Sequence, residues 1–256
     1  MKQTAYFSAL SFISAVILVD TTSAFSKEPP GFRGDCRFFL DTADTREWDA
    51  LLPLGIFHGI TTNPTLLERS HQPCTVHHIQ GLAQRALSKT EEFMCQSWGA
   101  TSNEMYQTGM QLSEVDRDRI TIKVPVTARG MEAAARLIRS GVKVCLTACY
   151  DSKQALLAGS VGAEYLAPYL GRMTDSGKNG LEECMKMQDV VEGLGSHTRI
   201  LVASIRDVES LTILAEAGLD TFTFSPEIAR AIFDEPLTDA AAEVFEEAAS
   251  RGSTYQ

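Results

Sequence analysis

Basic runs are missing from this 256-residue chain, and positive charge is in deficit. Against 33 acidic side chains stand 23 basic ones, a formal net charge of −10. An anionic surface of that size repels phosphate backbones, so nucleic acid is not an expected partner. Cysteine is sparse as well. Six in the whole chain are too few for a disulfide scaffold, and Cys145 and Cys149 fall in apolar, strand-like sequence as small core hydrophobes. Glycine and proline, 18 and 9, are too few for collagen, and the 44% apolar content is too high for disorder. After residue 36 no apolar run is long enough to span a bilayer. What remains is a globular body of one large domain or two small ones.

The first thirty residues are a separate object. Met1 to Thr4 carry one lysine, and Ala5–Val19 then runs without a charge until Asp20. That run, about 15 residues, falls short of the roughly 20 that cross a membrane. With Thr22, Ser23 and Ala24 behind it, the segment has the charged start, short apolar run and small-residue exit of a cleavable signal peptide. Lys27-Glu-Pro-Pro-Gly31 follows as a linker. Residues 1–34 are therefore expected to be a targeting presequence and linker, and residues 35–256 the folded body, with no membrane anchor in the mature protein. The Ser23-Ala24-Phe25 junction resembles the bipartite plastid leaders of algae with complex plastids, in which a Phe follows the signal cleavage point. That resemblance implies a plastid reached through an ER-type signal; secretion is the alternative.

From Cys36 onward two periods alternate. Short apolar or β-branched runs recur at Cys36–Leu40, Gly59–Thr62, Glu92–Trp98, Ile120–Pro125, Val142–Cys149, Glu164–Leu170, Thr198–Ala203 and Thr221–Phe224. Helical stretches lie between them. Asp44-Thr-Arg-Glu47 and Thr101-Ser-Asn-Glu104 read as capping boxes, and Ser225-Pro226-Glu227 as an N-cap followed by an N1 proline. Met131–Ile138 is rich in strong helix formers and stops at Gly141. Eight strands alternating with eight helices predict a single-domain α/β chain, a (β/α)8 TIM barrel, with a last helix near Asp239–Ala249. The competing open, doubly wound sheet advertises a Gly-rich phosphate loop after its first strand, where this chain reads Asp41-Thr-Ala-Asp44.

A barrel places its chemistry at the C-terminal ends of the strands. Lys123, within Ile120-Thr-Ile-Lys-Val-Pro125, is the anomaly there. By the period of two, Ile120, Ile122 and Val124 face the helices, while Thr121 and Lys123 point into the barrel. A lysine so placed must find an ion-pair partner or give up its proton, because an unpaired buried ammonium is costly. A lysine that loses its proton is a nucleophile toward carbonyls; a structural salt bridge is the alternative. Lys143 shares a face with Cys145 and Thr147 but lies at the start of its strand, the end of a barrel associated with stability.

Five segments in order carry a resemblance: Phe38-Phe-Leu-Asp-Thr-Ala-Asp44, Gly59-Ile-Thr-Thr-Asn-Pro-Thr65, Ile122-Lys-Val-Pro-Val-Thr127, Ala167-Pro-Tyr-Leu-Gly-Arg172 and Ala203-Ser-Ile-Arg206. Together they resemble the transaldolase family, in its short-chain branch that includes the fructose-6-phosphate aldolases, over roughly Arg37 to Ala249. The resemblance implies that Lys123 forms a Schiff base with a ketose and that Asp41 is the acid/base at the bond being broken. It implies that Asn63 contacts substrate hydroxyls, and that Gln96, Thr147 and Tyr169 hold or polarise the water that moves protons. Ser204, Arg172 and Arg206 become the phosphate grip, a task suited to guanidinium forks. The implied partners are phosphorylated ketoses and aldoses, with no cofactor and no metal. It also implies a homo-oligomer whose last helix, with its Ala240-Ala-Ala-Glu-Val-Phe245 run, packs on a neighbour.

Larger transaldolases carry glutamate at Gln96, phenylalanine at Tyr169, asparagine at Cys145 and serine at Ala167. Gln96 and Tyr169 together resemble the aldolase branch, which implies fructose-6-phosphate aldolase-like cleavage. The alternatives are transaldolase activity of the pentose phosphate pathway and a barrel that binds sugar phosphates without turning them over. His71, Cys74, His77 and His78 have spacings a metal could use, but their place at a loop and helix start favours a solvated face. Gly177-Lys-Asn-Gly180, after the sixth strand, reads as a mobile loop with room for further phosphate contacts.

Overall fold

The computed structural model describes residues 36–252. The presequence and linker expected over residues 1–34, including the Phe25 junction, lie outside the described residues. Eight parallel strands close in sequence order into a barrel, so the open-sheet alternative is excluded. They are β1 (Arg37–Asp41), β2 (Phe57–Thr61), β3 (Glu92–Gln96), β4 (Ile120–Pro125), β5 (Lys143–Cys149), β6 (Tyr165–Pro168), β7 (Arg199–Val202) and β8 (Thr221–Phe224). The sequence places β4 and β8 at their observed bounds. It overextends β3 and β6 at their C-terminal ends: Ser97 and Trp98 pass into a loop, Tyr169 keeps a single bridge to Ala203, and Leu170 starts the next helix.

The helices are more numerous than the eight expected: eleven α-helices and one 3-10 turn among the described residues. The additional ones are short. Pro64–Arg69 and Leu170–Asp175 follow β2 and β6 directly, and each precedes a longer helix that packs on the barrel. Thr101 and Glu104 form the expected capping box, and Ser225 caps the helix that begins at Pro226. Asp44 does not form one with Glu47. Its carboxylate accepts from the Arg46 amide and ion-pairs with the Arg46 guanidinium at 2.7 Å, while Glu47 turns to Arg230. The last helix runs longer than expected, Pro236–Gly252, and buries none of its side chains.

Alternation sorts the strand residues onto two faces. Leu40, Ile60, Phe93, Ile122, Val124, Leu146, Val202 and Phe222 face outward into the shell of helices. Inside the barrel, Phe39, Met94, Cys145, Tyr165, Ala167 and Leu201 form a second, fully buried apolar cluster. This layer separates two polar ends. At the N-terminal end Glu92 accepts hydrogen bonds from the Thr121 and Tyr165 hydroxyls, lies 3.3 Å from His58 Nε2, and Arg37 donates to Tyr165. Lys143 belongs to that end, as expected, with Nζ donating to the Asp118 carbonyl at 2.6 Å.

Two ladder irregularities aim the opposite end. His58 is an extra residue in β2 between the pairs Phe38–Phe57 and Phe39–Gly59. In β5 the register slips between Leu146 and Cys149, at Ala148, whose φ of 60° lies in the left-handed region. Ser204, just past β7, has the same φ of 60°. Such backbone costs about 1–3 kcal/mol per residue and persists where the surroundings hold it.

Candidate active site

At the C-terminal ends of the strands a cavity of about 400 Å³ is lined by Asp41, Asn63, Lys123, Tyr169, Arg172, Ser204 and Arg206. Seven of the nine side chains singled out in the sequence therefore converge on one space. The other two, Gln96 and Thr147, line a neighbouring cavity of about 380 Å³ with Ser97, Trp98, Met105 and Pro125. Asn63, Tyr169 and Arg172 border both. The resemblance grouped Gln96, Thr147 and Tyr169 as one water-handling set; here Tyr169 is the member that touches both compartments.

Lys123 is 4% exposed and sits between Gln96 on β3 and Cys145 on β5 in register. Among the described residues no carboxylate pairs with it, so the structural salt bridge is absent. Its positive charge is felt by Cys95 and Cys145, although burial dominates both thiols and pushes each up to about 12. Asp41 ends β1 and accepts a hydrogen bond from Thr61 Oγ1 at 2.6 Å. Thr61 is in turn hydrogen-bonded to Thr223 on β8. The bonded oxygen, Oδ1, is thereby fixed across the β8–β1–β2 seam.

Tyr169 follows β6, its backbone bridged to Ala203, and its hydroxyl lies 2.8 Å from Thr147 Oγ1. The Arg172 guanidinium covers the Tyr169 ring at 4.8 Å. A hydrogen bond to Tyr150 holds Arg172 above its ordinary pKa, with smaller contributions from Tyr169 and Asp41. Arg206 makes an ion pair with Asp175 at 2.9 Å while lining the cavity. Asn63 caps the helix behind β2 through Oδ1, accepting from the Leu66 amide at 3.0 Å. Its amide nitrogen is thus the group available to a ligand.

The Gly177–Gly180 segment does not face this cavity. Asn179 caps the helix Gly180–Gly193, and Lys178 donates to the Tyr150 carbonyl at 2.7 Å. His78 is hydrogen-bonded to Gln72 at 2.7 Å within its own loop and helix start, and no group of three His, Cys, Asp or Glu residues among the described ones could hold a metal ion. The sequence reading missed Arg69, Thr223, Ser225 and Glu227 as cavity residues. Thr223 was detectable, since the period of two turns it inward on β8.

Fold and site together define a closed parallel barrel that brings a buried lysine and a carboxylate to one polar cavity. The chain belongs to the transaldolase/fructose-6-phosphate aldolase family, whose model matches residues 38–256. It is similar to probable transaldolases of Hyphomonas neptunium (32% identity over 209 residues) and Chelativorans sp. (34% over 211), covering 82% of this chain and 94% of each relative. A probable transaldolase of Brucella ovis is 33% identical over 217 residues, with the same coverage. In fold alone it is similar to a flavocytochrome b2 variant, with a TM-score of 0.53 at 11% identity over 75% of this chain; the chain spans 57% of that protein. The protein is thus an aldolase/transaldolase-type enzyme that cleaves off or transfers a dihydroxyacetone unit on phosphorylated sugars.

Proposed function

We propose that the enzyme cleaves a phosphorylated ketose such as fructose 6-phosphate through a Schiff base on Lys123, and that it releases free dihydroxyacetone. The observation that carries this reading is the unpaired, buried Lys123 sharing one cavity with Asp41. The free amine of Lys123 adds to the C2 carbonyl, and loss of water leaves an iminium. Asp41 takes the C4 hydroxyl proton as the C3–C4 bond breaks, with the electron pair drawn into the iminium. Glyceraldehyde 3-phosphate departs, and the enamine is protonated and hydrolysed beside the Thr147–Tyr169 hydroxyl pair. Borohydride reduction in the presence of fructose 6-phosphate should leave a stable adduct on Lys123, found by peptide mass analysis and lost in Lys123→Met. Tight binding without an adduct in folded protein would leave a non-catalytic binder.

The second reading is transfer, in which the enamine attacks an aldose phosphate instead of taking a proton. The names of the relatives support it; the Tyr169 hydroxyl supports cleavage.

The reading extends to assembly and address. In the last helix Leu237, Val244 and Phe245 are 80%, 58% and 71% exposed, which supports a homo-oligomer with this helix packed on a neighbour. Light scattering of a monomer at micromolar concentration would end that idea. Sugar phosphates are intracellular metabolites, so the Met1–Gly34 segment is read as a plastid leader. A fluorescent fusion of it should enter complex plastids and be diverted when Phe25 is changed; fluorescence confined to the medium would favour secretion.

A further inference from the structure

Arg69 closes the short helix behind β2 and lines the same cavity as Lys123 and Asp41. Because the strands close in sequence order, β2 and β6 stand on opposite walls, and Arg69 therefore projects from the side facing Arg172. The other two cavity guanidiniums are committed, Arg206 to Asp175 and Arg172 to Tyr150 and the Tyr169 ring. Among the described residues the Arg69 guanidinium has no ion-pair or hydrogen-bond partner. Glu227, which lines the same cavity, is itself held by a hydrogen bond with Ser225 and by the charge of Arg230.

The local charge balance runs against that of the molecule. Three guanidiniums, Arg69, Arg172 and Arg206, line the cavity with two carboxylates, Asp41 and Glu227, in a chain of net charge −10. A cationic mouth in an anionic protein draws anions to that one place. An arginine without a partner at the mouth is free to follow a phosphate inward, and its fork can take two oxygens at once.

We propose that Arg69 is the capture residue for the phosphate of the incoming sugar. It meets the phosphate from the wall opposite Arg172 and Arg206, and so sets the preference for phosphorylated over unphosphorylated acceptors. This rests on the reading above that the substrates are sugar phosphates. The competing role is structural: an arginine in the last turn of a helix favours the helix dipole.

The test is aldol addition of dihydroxyacetone to glyceraldehyde 3-phosphate and, separately, to glyceraldehyde, two acceptors that differ by the phosphate alone. In Arg69→Ala the ratio of their kcat/KM values should fall by about ten-fold, the loss expected of one charge-assisted contact. Inhibition by inorganic phosphate should weaken, and the ionic-strength dependence of kcat/KM for the phosphorylated acceptor should flatten. Arg69→Lys should recover part of the ratio, because it keeps the charge without the fork. An unchanged ratio in Arg69→Ala, with or without a lower Tm, overturns the proposal and leaves the helix-end role. A wild-type enzyme indifferent to the phosphate overturns both the proposal and the sugar-phosphate reading beneath it.

Discussion

At Tyr169 the proposed mechanism sets one hydroxyl between two fates of the enamine. It lies 2.8 Å from Thr147 Oγ1 and borders both cavities. Tyr169→Phe removes that donor and little volume. Loss of such a bond costs about 1–3 kcal/mol, so dihydroxyacetone release should slow by roughly ten- to a hundred-fold. Transfer to erythrose 4-phosphate should suffer less, since there the enamine carbon bonds to the aldehyde instead of taking a proton, and the aldehyde oxygen is protonated from Asp41. Gln96→Glu should shift the balance the same way. A paired assay of free dihydroxyacetone and sedoheptulose 7-phosphate checks both variants; equal loss of both products would make Tyr169 a substrate-holding residue. Lys123 is legible in the sequence because an inward charge on an apolar strand has so few places to go. Arg69 is not. Amid Leu66, Leu67 and Glu68 it reads as surface charge until barrel closure brings its helix to the cavity.

Among the elements, the strands are legible because β-branched and apolar runs alternate with helix starts, and their order needs no long-range information. The irregularities are hidden, since nothing in Leu146-Thr-Ala-Cys149 announces that Ala148 takes a positive φ and shifts the register. The short helices behind β2 and β6 were hidden for a related reason: six residues carry too little periodicity to stand out. The second of these ties the arginines together. Gly171 lies in it, its amide bonded to the Ser204 carbonyl at 2.9 Å. A Cβ on Gly171 would meet that carbonyl and come within 2.5 Å of Arg206 Nε. Gly171→Ala should therefore cost about 1–3 kcal/mol in stability and raise KM for the phosphorylated ketose. Gly141→Ala, at φ 77° with open space around its Cβ, should cost about 1–2 kcal/mol and leave KM alone. Thermal melts and steady-state kinetics on the pair separate backbone strain from displacement of the grip.

Across the whole molecule, acid stability should be set at the end of the barrel away from the chemistry. Burial pushes the Glu92 carboxyl up, but hydrogen bonds with His58, Thr121 and Tyr165 outweigh it and hold the pKa below the ordinary value of 4.5. A pKa lowered by folding contributes stability that is complete above about the unfolded value, 4.5, and is lost as the pH falls through the folded one. Glu92→Gln keeps the shape but sets an amide donor against groups that donate to a carboxylate. It should cost about 1–3 kcal/mol at neutral pH, and the cost should shrink below pH 4.5. Urea melts of both proteins across that range measure it, and a pH-independent difference would remove Glu92 from the account. The apolar layer of Phe39, Met94, Cys145, Tyr165, Ala167 and Leu201 gives this a practical side. It bars proton exchange between the two ends but not their fields, since Cys145 within it feels the charges of both Lys123 and Glu92. A chemist who rewrites Arg37, His58 and Glu92 for acid tolerance must therefore keep the net charge of that end if the pH optimum of turnover is to stay where it was.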